Sequence, residues 1–435
     1  MSSGIVLLLL LFIAYIHSIN FPITYKHFSK STEDKSSNYK ENNFHVSYPF
    51  PLPTINICLG SPTVCVDLII DSFGYMGWIA TQSVPSPHQF NTLKAETLIQ
   101  NSLTDYTFDY KLFKVIGRAS KDLFWLDNKI IGGVNDFTFF AAHEPHDYQL
   151  NVDGIIGLSR ELIYKLSNEQ GESLIEYLFK RSVIKKRLFS IIHNKKNNTS
   201  ALFLGEIPSV FNFKSGQRCH ALIPMNEEDK WWMNNYWNCQ LDQIIMKSKN
   251  GNKYFNIEKP VFFKTGRNAI FLPKVQESLL MAILDKAKQF GNNCILEEAN
   301  TEKFVSCDLF DITLMGSIEF ILDRTNIIQL MGKDMFTVSE NNFNRMKSVF
   351  RVLNDTRYII IGNALLKNYN TVFDLERGTI YFDSSNEEQI KNIPNKLISL
   401  KNILYLLIIL ISIMCIIWML YVYRKINKEN LIISK

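Results

Sequence analysis

The run Ile403–Tyr423 (ILYLLIILISIMCIIWMLYVY) carries no charge and is apolar on every helical face, and it limits this chain more firmly than any other feature. Roughly 20 such residues cross a hydrocarbon core as a helix, because only a helix or a closed barrel satisfies its own backbone there. Tyr405, Trp418, Tyr421 and Tyr423 lie near its ends as interfacial aromatics do, and Arg424, Lys425 and Lys428 follow at once. Positive charge marks the cytoplasmic side, so 403–423 is expected to be a single transmembrane helix and 424–435 a cytoplasmic tail. At the other end, Ile5–Ile16 has the length of a secretory hydrophobic region and is short for a span, so 1–19 reads as a signal peptide. Only the α-amino group supplies its leading positive charge, which leaves an uncleaved signal anchor as the alternative. The expected layout is a type I membrane protein of the secretory pathway with a lumenal or extracellular ectodomain.

That ectodomain is composed like a globular protein. Hydrophobic residues make up 46% of the 435 and charged residues 20%, enough apolar surface to build sizeable cores in more than one unit. The net charge is +5, but Lys and Arg are dispersed among Asp and Glu with no basic stripe, so no nucleic acid is expected as a partner. No cofactor motif is present either. Residues 20–45 are polar and rich in Lys, Ser, Asn and Glu, as in a linker or a short propeptide remnant. From Val46 onward, short β-rich runs such as Val66–Ile70 and Phe137–Phe140 are broken by Gly, Pro and Asn turns. Helical candidates are confined to pieces such as Gly171–Lys180 and Val275–Phe290, so the class is mainly β. A coarse duplication stands out: a strand pair leads into Asp71-Ser-Phe-Gly in the first half, and a similar lead reaches Lys264-Thr-Gly-Arg in the second.

Cys415 falls inside the apolar run, leaving Cys58, Cys65, Cys219, Cys239, Cys294 and Cys307 on the secreted side. In an oxidising compartment the simplest framework is three sequential pairs, 58 with 65, 219 with 239 and 294 with 307, though spacing alone does not fix connectivity. Asn197, Asn198 and Asn354 begin glycosylation triplets.

Five collinear segments between Val46 and Ser385 resemble the pepsin-like family of aspartic proteases. Ile57–Asp71 (ICLGSPTVCVDLIID) is similar to the hairpin that delivers the first catalytic aspartate, and Trp78 follows where the family commonly has Trp. Tyr110–Phe124 is similar in spacing to the flap and its following strand, matching at Tyr110, Gly117 and Asp122. Val152-Asp-Gly-Ile-Ile-Gly-Leu158 is close to F-D-G-I-L-G-L. Tyr236–Met246 resembles the strand before the second active-site loop, and Val261–Arg267 (VFFKTGR) stands where that loop's D-T-G belongs. Ile360–Asp374 looks like the closing I-L-G-D segment. The resemblance implies a bilobal, mainly β fold, with an N-terminal lobe over 46–225, a C-terminal lobe over 226–390 and a juxtamembrane linker over 391–402.

The family's reaction needs two carboxylates that share one proton, one acting as base on a held water and the other as acid toward the scissile carbonyl. The resemblance places Asp71 as the retained first aspartate and Lys264 at the position of the second. An ammonium has no acceptor with which to draw a proton from water, and a Lys–carboxylate pair is a salt bridge rather than a shared-proton dyad. Asp242, Asp285, Asp308 and Asp311 all lie outside the active-site loop. Phe73 replaces a glycine of the first turn, and Lys111 and Phe113 replace glycines of the flap. Ser72 and Thr265 keep hydroxyls suited to a hydrogen bond between lobes, beside Gly266. Cleft and flap are therefore expected to involve Ser72, Tyr110, Thr265 and Gly266.

Plainer readings stand beside these. Asp71 suits a turn carboxylate bonded to its own backbone, and Tyr110 a surface strand aromatic. His143-Glu-Pro-His146 lacks the spacing of a helical zinc motif and reads as a solvated loop, so no metal site is expected. Gly157-Leu-Ser159 lacks the closing glycine of a nucleophile elbow. Trp231-Trp232 and Tyr236-Trp237 read as core and inter-lobe packing. Two functions from different classes follow: a membrane-tethered pseudoprotease that holds a peptide or protein ligand in the inter-lobe cleft, or an active aspartic endopeptidase with a nonstandard dyad. A decoy or regulator of an active relative is a third.

Overall fold

The computed structural model describes residues 19–26, 52–74, 77–84, 88, 90–109, 114–126, 131–146, 152–160, 173–194, 199–213, 216–223, 233–248, 251–299, 302–339, 342–354 and 356–384. All but the last residue of the expected signal peptide 1–19, the juxtamembrane linker 391–402, the transmembrane segment 403–423, the cytoplasmic tail 424–435, the flap positions Tyr110, Lys111 and Phe113, Trp231-Trp232, and the acceptors Asn197 and Asn198 lie outside them. Among the described residues no helix is long and apolar enough to cross a membrane.

The described chain is mainly β, organised as one 13-stranded and one 11-stranded sheet. Strand formation follows from alternation and β-branching. In the hairpin Leu52–Leu59 and Val64–Asp71, the outward Asn56 and Asp67 face each other across the ladder while Ile55, Ile57, Val66 and Leu68 are buried. The Asn56 amide donates to the Asp67 carboxylate (2.9 Å) on the outer face. Cys58 and Cys65 are direct partners in this register and form a disulfide. Cys219–Cys239 and Cys294–Cys307 complete the framework, so the sequential pairing is the one found.

The duplication seen in the sequence is a duplication of topology. In the first sheet, Val64–Asp71 runs parallel to Gly154–Gly157, which pairs antiparallel with Trp78–Ala80, which in turn runs parallel to Ile131–His146. In the second, Lys253–Lys264 runs parallel to Ile359–Gly362, Ile270–Pro273 pairs antiparallel with that strand, and Ile270–Pro273 runs parallel to Phe350–Leu353. Each copy therefore ends its long strand at the same kind of turn, and Asp71 and Lys264 are those two ends. The helices match expectation: Leu174–Lys180 is capped by Ser173, whose hydroxyl accepts from the Glu176 N–H, and Glu277–Ala287 packs Leu279, Leu280 and Ile283 inward.

Three expectations are corrected. Residues 20–45 do not begin as a linker: Ile19–Lys26 is a strand paired with both Thr199–Leu204 and Leu52–Leu59, because Ile19, Phe21 and Ile23 alternate inward with period two. The Lys-, Ser- and Asn-rich composition of residues 27–43 masks that short pattern in the sequence. The last strands, Asn370–Asp374 and Thr379–Asp383, belong to the first sheet rather than the second, pairing with Leu188–Asn194 and Gln217–His220. Residues 143–146 continue the strand Ile131–His146 against Lys114–Ile116 rather than forming a loop, with the His143 ring 3.4 Å from Asp105.

Phe21 sits in the core at 5% exposure. Phe21→Ala should lower the unfolding free energy by about 3 kcal/mol, the usual range for deleting a buried ring, read by urea denaturation. A change under about 0.5 kcal/mol, typical of a surface position, would show that this strand is a detachable leader.

Candidate functional site

The two loops after Val64–Asp71 and Lys253–Lys264 meet at the centre of the molecule through a reciprocal lattice. The Ser72 N–H donates to the Thr265 hydroxyl (2.9 Å), and the Thr265 N–H donates to the Ser72 hydroxyl (3.0 Å). Each hydroxyl then donates onward into the opposite strand, Ser72 to the Phe263 carbonyl (3.0 Å) and Thr265 to the Ile70 carbonyl (2.8 Å). Both side chains are fully enclosed. A hydroxyl is the one small side chain that accepts and donates at once, which is why Ser and Thr fit here and Ala or Val would not.

This lattice presents Asp71 and Lys264 to each other. The Lys264 Nζ lies 3.9 Å from Asp71 Oδ2, and the aspartate side chain is only 2% exposed. Asp71 Oδ1 also accepts from the Phe73 N–H (3.0 Å), so the plainer reading of a turn carboxylate is true of one oxygen while the other faces the ammonium. Gly266 lies against this carboxylate: a Cβ there would fall 3.0 Å from Asp71 Cγ, so any other residue would crowd the acid. Ser72, Thr265, Gly266, Asp71 and Lys264 are thus brought together at one place.

The ammonium is enclosed from a second direction by rings. Lys264 Nζ sits 4.3 Å from the centroid of Phe73, a cation–π distance. Phe73 in turn stacks on Tyr236, with centroids 3.5 Å apart and planes within 2°, and Phe262 meets both edge-on. Tyr358 extends the cluster from the far side of Phe262. Burial, reinforced by the negative charge of Asp71, pushes the Tyr236 phenol well above its ordinary range, so it stays a neutral hydroxyl. Trp237 turns the other way: it is buried, donates its indole N–H to the Leu158 carbonyl (2.9 Å), and lies under the Arg160 guanidinium. Residues 236–237 are therefore packing residues, as expected, but Tyr236 packs into the site itself. The ring column was missed in the sequence because Phe73 registers there only as a lost glycine; an aromatic two residues after Asp71 and a lysine across from it were the available signal.

Burial lowers the Lys264 ammonium to a pKa of about 8, with Asp71 opposing the change and Arg267 adding to it. Desolvation thus outweighs the ion pair, as it does for most buried pairs. Below that value Lys264 is an ammonium, so the centre holds a cation where a second carboxylic acid would be needed. The pair can hold charge and donate a proton from Lys264; it offers no second carboxylate for water activation.

Elsewhere, Asp67, His88 and Asp153 bring one oxygen or nitrogen each within 4.8 Å of one another. Asp153 is already occupied, accepting from the Asp67 N–H (2.8 Å), the His88 N–H (2.7 Å) and the His88 ring (2.9 Å), which ties the segment at His88 to the strand Val64–Asp71. Asn354 is exposed. Comparison with protein families matches residues 54–384 to the eukaryotic aspartyl protease family. No curated protein matches the chain.

Between pH 8 and 10.5 the unfolded chain keeps a proton at Lys264 that the folded chain has released. Stability contributed by this group therefore rises with pH across that window, by about 3 kcal/mol. Urea denaturation at pH 7 and pH 10.5 should show the unmodified protein gaining that much on Lys264→Met; a constant difference would mean that the amine titrates as a solvated lysine.

Proposed function

Because the chain belongs to the eukaryotic aspartyl protease family, we propose that it is a membrane-anchored pseudoprotease that binds peptide or protein partners without cutting them. The observation that carries this reading is the double enclosure of Lys264, with Asp71 at 3.9 Å and the Phe73 ring at 4.3 Å. In the family's chemistry a water is held between two carboxylates. Here the second carboxylate is replaced by a cation, and that cation faces an aromatic ring which itself is stacked on Tyr236. Losing one member of a catalytic unit removes most of its rate enhancement, because such groups act together. Lowering pH, which favours a shared-proton dyad, only makes the ammonium more completely charged.

The scaffold is kept where the chemistry is not. The hydroxyl lattice, the carboxylate and the duplicated topology remain, so the two halves are still held in a fixed relation. Three disulfides suit an oxidising compartment, in line with entry to the secretory pathway through 1–19, anchoring through 403–423 and glycosylation at Asn354. One observation favours an active enzyme instead: an amine with a pKa near 8 exchanges protons readily at neutral pH, and Asp71 remains beside it. That reading requires the Phe73–Tyr236 stack to open.

The two readings separate in a cleavage assay on a mixed-sequence peptide library from about pH 3 to 7, the range in which paired carboxylates titrate, with products read by mass spectrometry. The unmodified protein and Lys264→Asp should both leave the library intact, and cleavage should emerge only when Lys264→Asp is combined with Phe73→Gly. Cleavage by the unmodified protein that vanishes in Asp71→Ala would sink the pseudoprotease reading. Activity from Lys264→Asp alone would show that the rings do not obstruct the site.

A further inference from the structure

A second recess lies away from Asp71, at the last strand of the first sheet. The edge strand Gln217–His220 pairs with Thr379–Asp383, and in that register Arg218 faces Tyr381. Directly opposite residues in an antiparallel pair project to the same face, so guanidinium and phenol rise together from it. The strand is pinned behind this face by the Cys219–Cys239 disulfide, whose Cys219 is fully buried. The wall above is the segment carrying Phe211 and Phe213, which meet edge-on at 4.9 Å, with Phe213 meeting Tyr381 edge-on at 5.4 Å. Gly216 lets that segment close onto the sheet, since a Cβ there would lie 3.0 Å from the Asn212 carbonyl and 3.2 Å from that of Phe382.

The space enclosed is about 340 Å³, lined by Phe211, Phe213, Tyr381, Arg218, Arg377 and Asn326 together with Gly216. That is the lower end of the range for small-ligand sites, enough for a single aromatic residue. Phe213 is half exposed, an apolar ring left partly uncovered at the mouth. Two guanidiniums face the recess. The Arg377 side chain approaches the Tyr381 hydroxyl (3.5 Å) and lies 3.8 Å from Asp374. Asp374 also accepts the Arg377 N–H (3.0 Å), so its negative charge is shared. Among the described residues the Arg218 guanidinium has no carboxylate partner; its backbone N–H is held by Asn326 (3.2 Å). The recess is therefore cationic at its rim and aromatic at its wall.

We propose that this recess is a binding site for the C-terminal residue of a peptide ending in an aromatic side chain, with its carboxylate on Arg218 and Arg377 and its ring against Phe213 and Tyr381. Arginine pairs with a carboxylate through two parallel N–H donors, and this geometry selects a planar anion over a diffuse negative surface. A free amino acid fits less well, because its ammonium would sit among guanidiniums without a partner. Rings that meet edge-on leave faces and edges for a third ring, as aromatic clusters do. The site is separate from the Asp71–Lys264 centre and stands whether or not that centre cleaves peptides.

The test is calorimetric titration of the full chain with N-acetyl-L-phenylalanine, N-acetyl-L-phenylalaninamide and free phenylalanine, beside the variants Arg218→Gln, Arg218→Lys and Phe213→Ala. Both altered residues are exposed, so the variants should fold, which a thermal melt verifies. The acid should bind saturably with a Kd of about 1 mM or tighter. The amide and Arg218→Gln should each weaken binding roughly tenfold, the loss of one charge-assisted pair, with Arg218→Lys recovering part of it and Phe213→Ala weakening it as well. Free phenylalanine should bind less tightly than the acetylated acid. No saturation below about 10 mM, well beyond that affinity, would overturn the proposal, as would equal binding of acid and amide or unchanged binding in both Arg218→Gln and Phe213→Ala.

Discussion

The exchange of hydrogen bonds between Ser72 and Thr265 is the interaction on which the rest of this structure depends. Two strands from opposite halves of the chain end side by side, and their turn backbones must satisfy buried N–H and C=O groups with no ladder left to do it. Four hydrogen bonds between two hydroxyls and four backbone groups solve this. Each is worth only about 1 kcal/mol when made, but a buried group left unpaired costs more than that. The lattice consequently fixes where Asp71 and Lys264 point. The 3.9 Å ion pair and the contact of Gly266 with the carboxylate both result from that placement.

Within that fixed frame, Phe73 and Lys264 act together. A lysine alone in so enclosed a position would be a costly buried charge. Asp71 offsets part of this by Coulomb attraction, and Phe73 adds a ring face whose quadrupole attracts the same cation. Tyr236 then supports Phe73 by stacking, and its phenol stays neutral beside the carboxylate. The result is a continuous column of carboxylate, ammonium and two rings. The ring face of Phe73 thus makes the buried cation at 264 less costly. The geometry also accounts for the direction of the Lys264 pKa, since a ring and one carboxylate replace less than the hydration they exclude.

Much of this was legible in the sequence, for physical reasons that differ by feature. The turns at Asp71 and Lys264 were visible because each follows a β-rich run and keeps a hydroxyl residue in second place, Ser72 and Thr265. The disulfide pairing is the simplest that proximity along the chain offers, and the cross-strand register of Cys58 and Cys65 shows why the shortest loop closes. By contrast, Ile19–Lys26 was hidden because three alternating apolar residues carry little signal beside a polar stretch and an apolar leader. Its strand character comes from two neighbours far away in sequence. The return of Thr379–Asp383 to the first sheet is likewise a property of topology, not of local pattern. Tyr236 looked like strand packing because nothing in the linear order brings it to Phe73; only the meeting of the two loops does.

The pseudoprotease proposal is of a site held in place yet not complementary to the transition state of peptide hydrolysis. Its most direct test is equilibrium binding of two peptides of one sequence, one unmodified and one carrying a tetrahedral hydroxyl isostere at the scissile position. A working dyad binds such a mimic at least about a hundredfold more tightly than the substrate. With Lys264 capped by Asp71 and Phe73, the two peptides should bind this protein within a few-fold of each other. A preference for the isostere of about a hundredfold or more, lost in Asp71→Ala, would contradict the account and restore the centre as a catalyst.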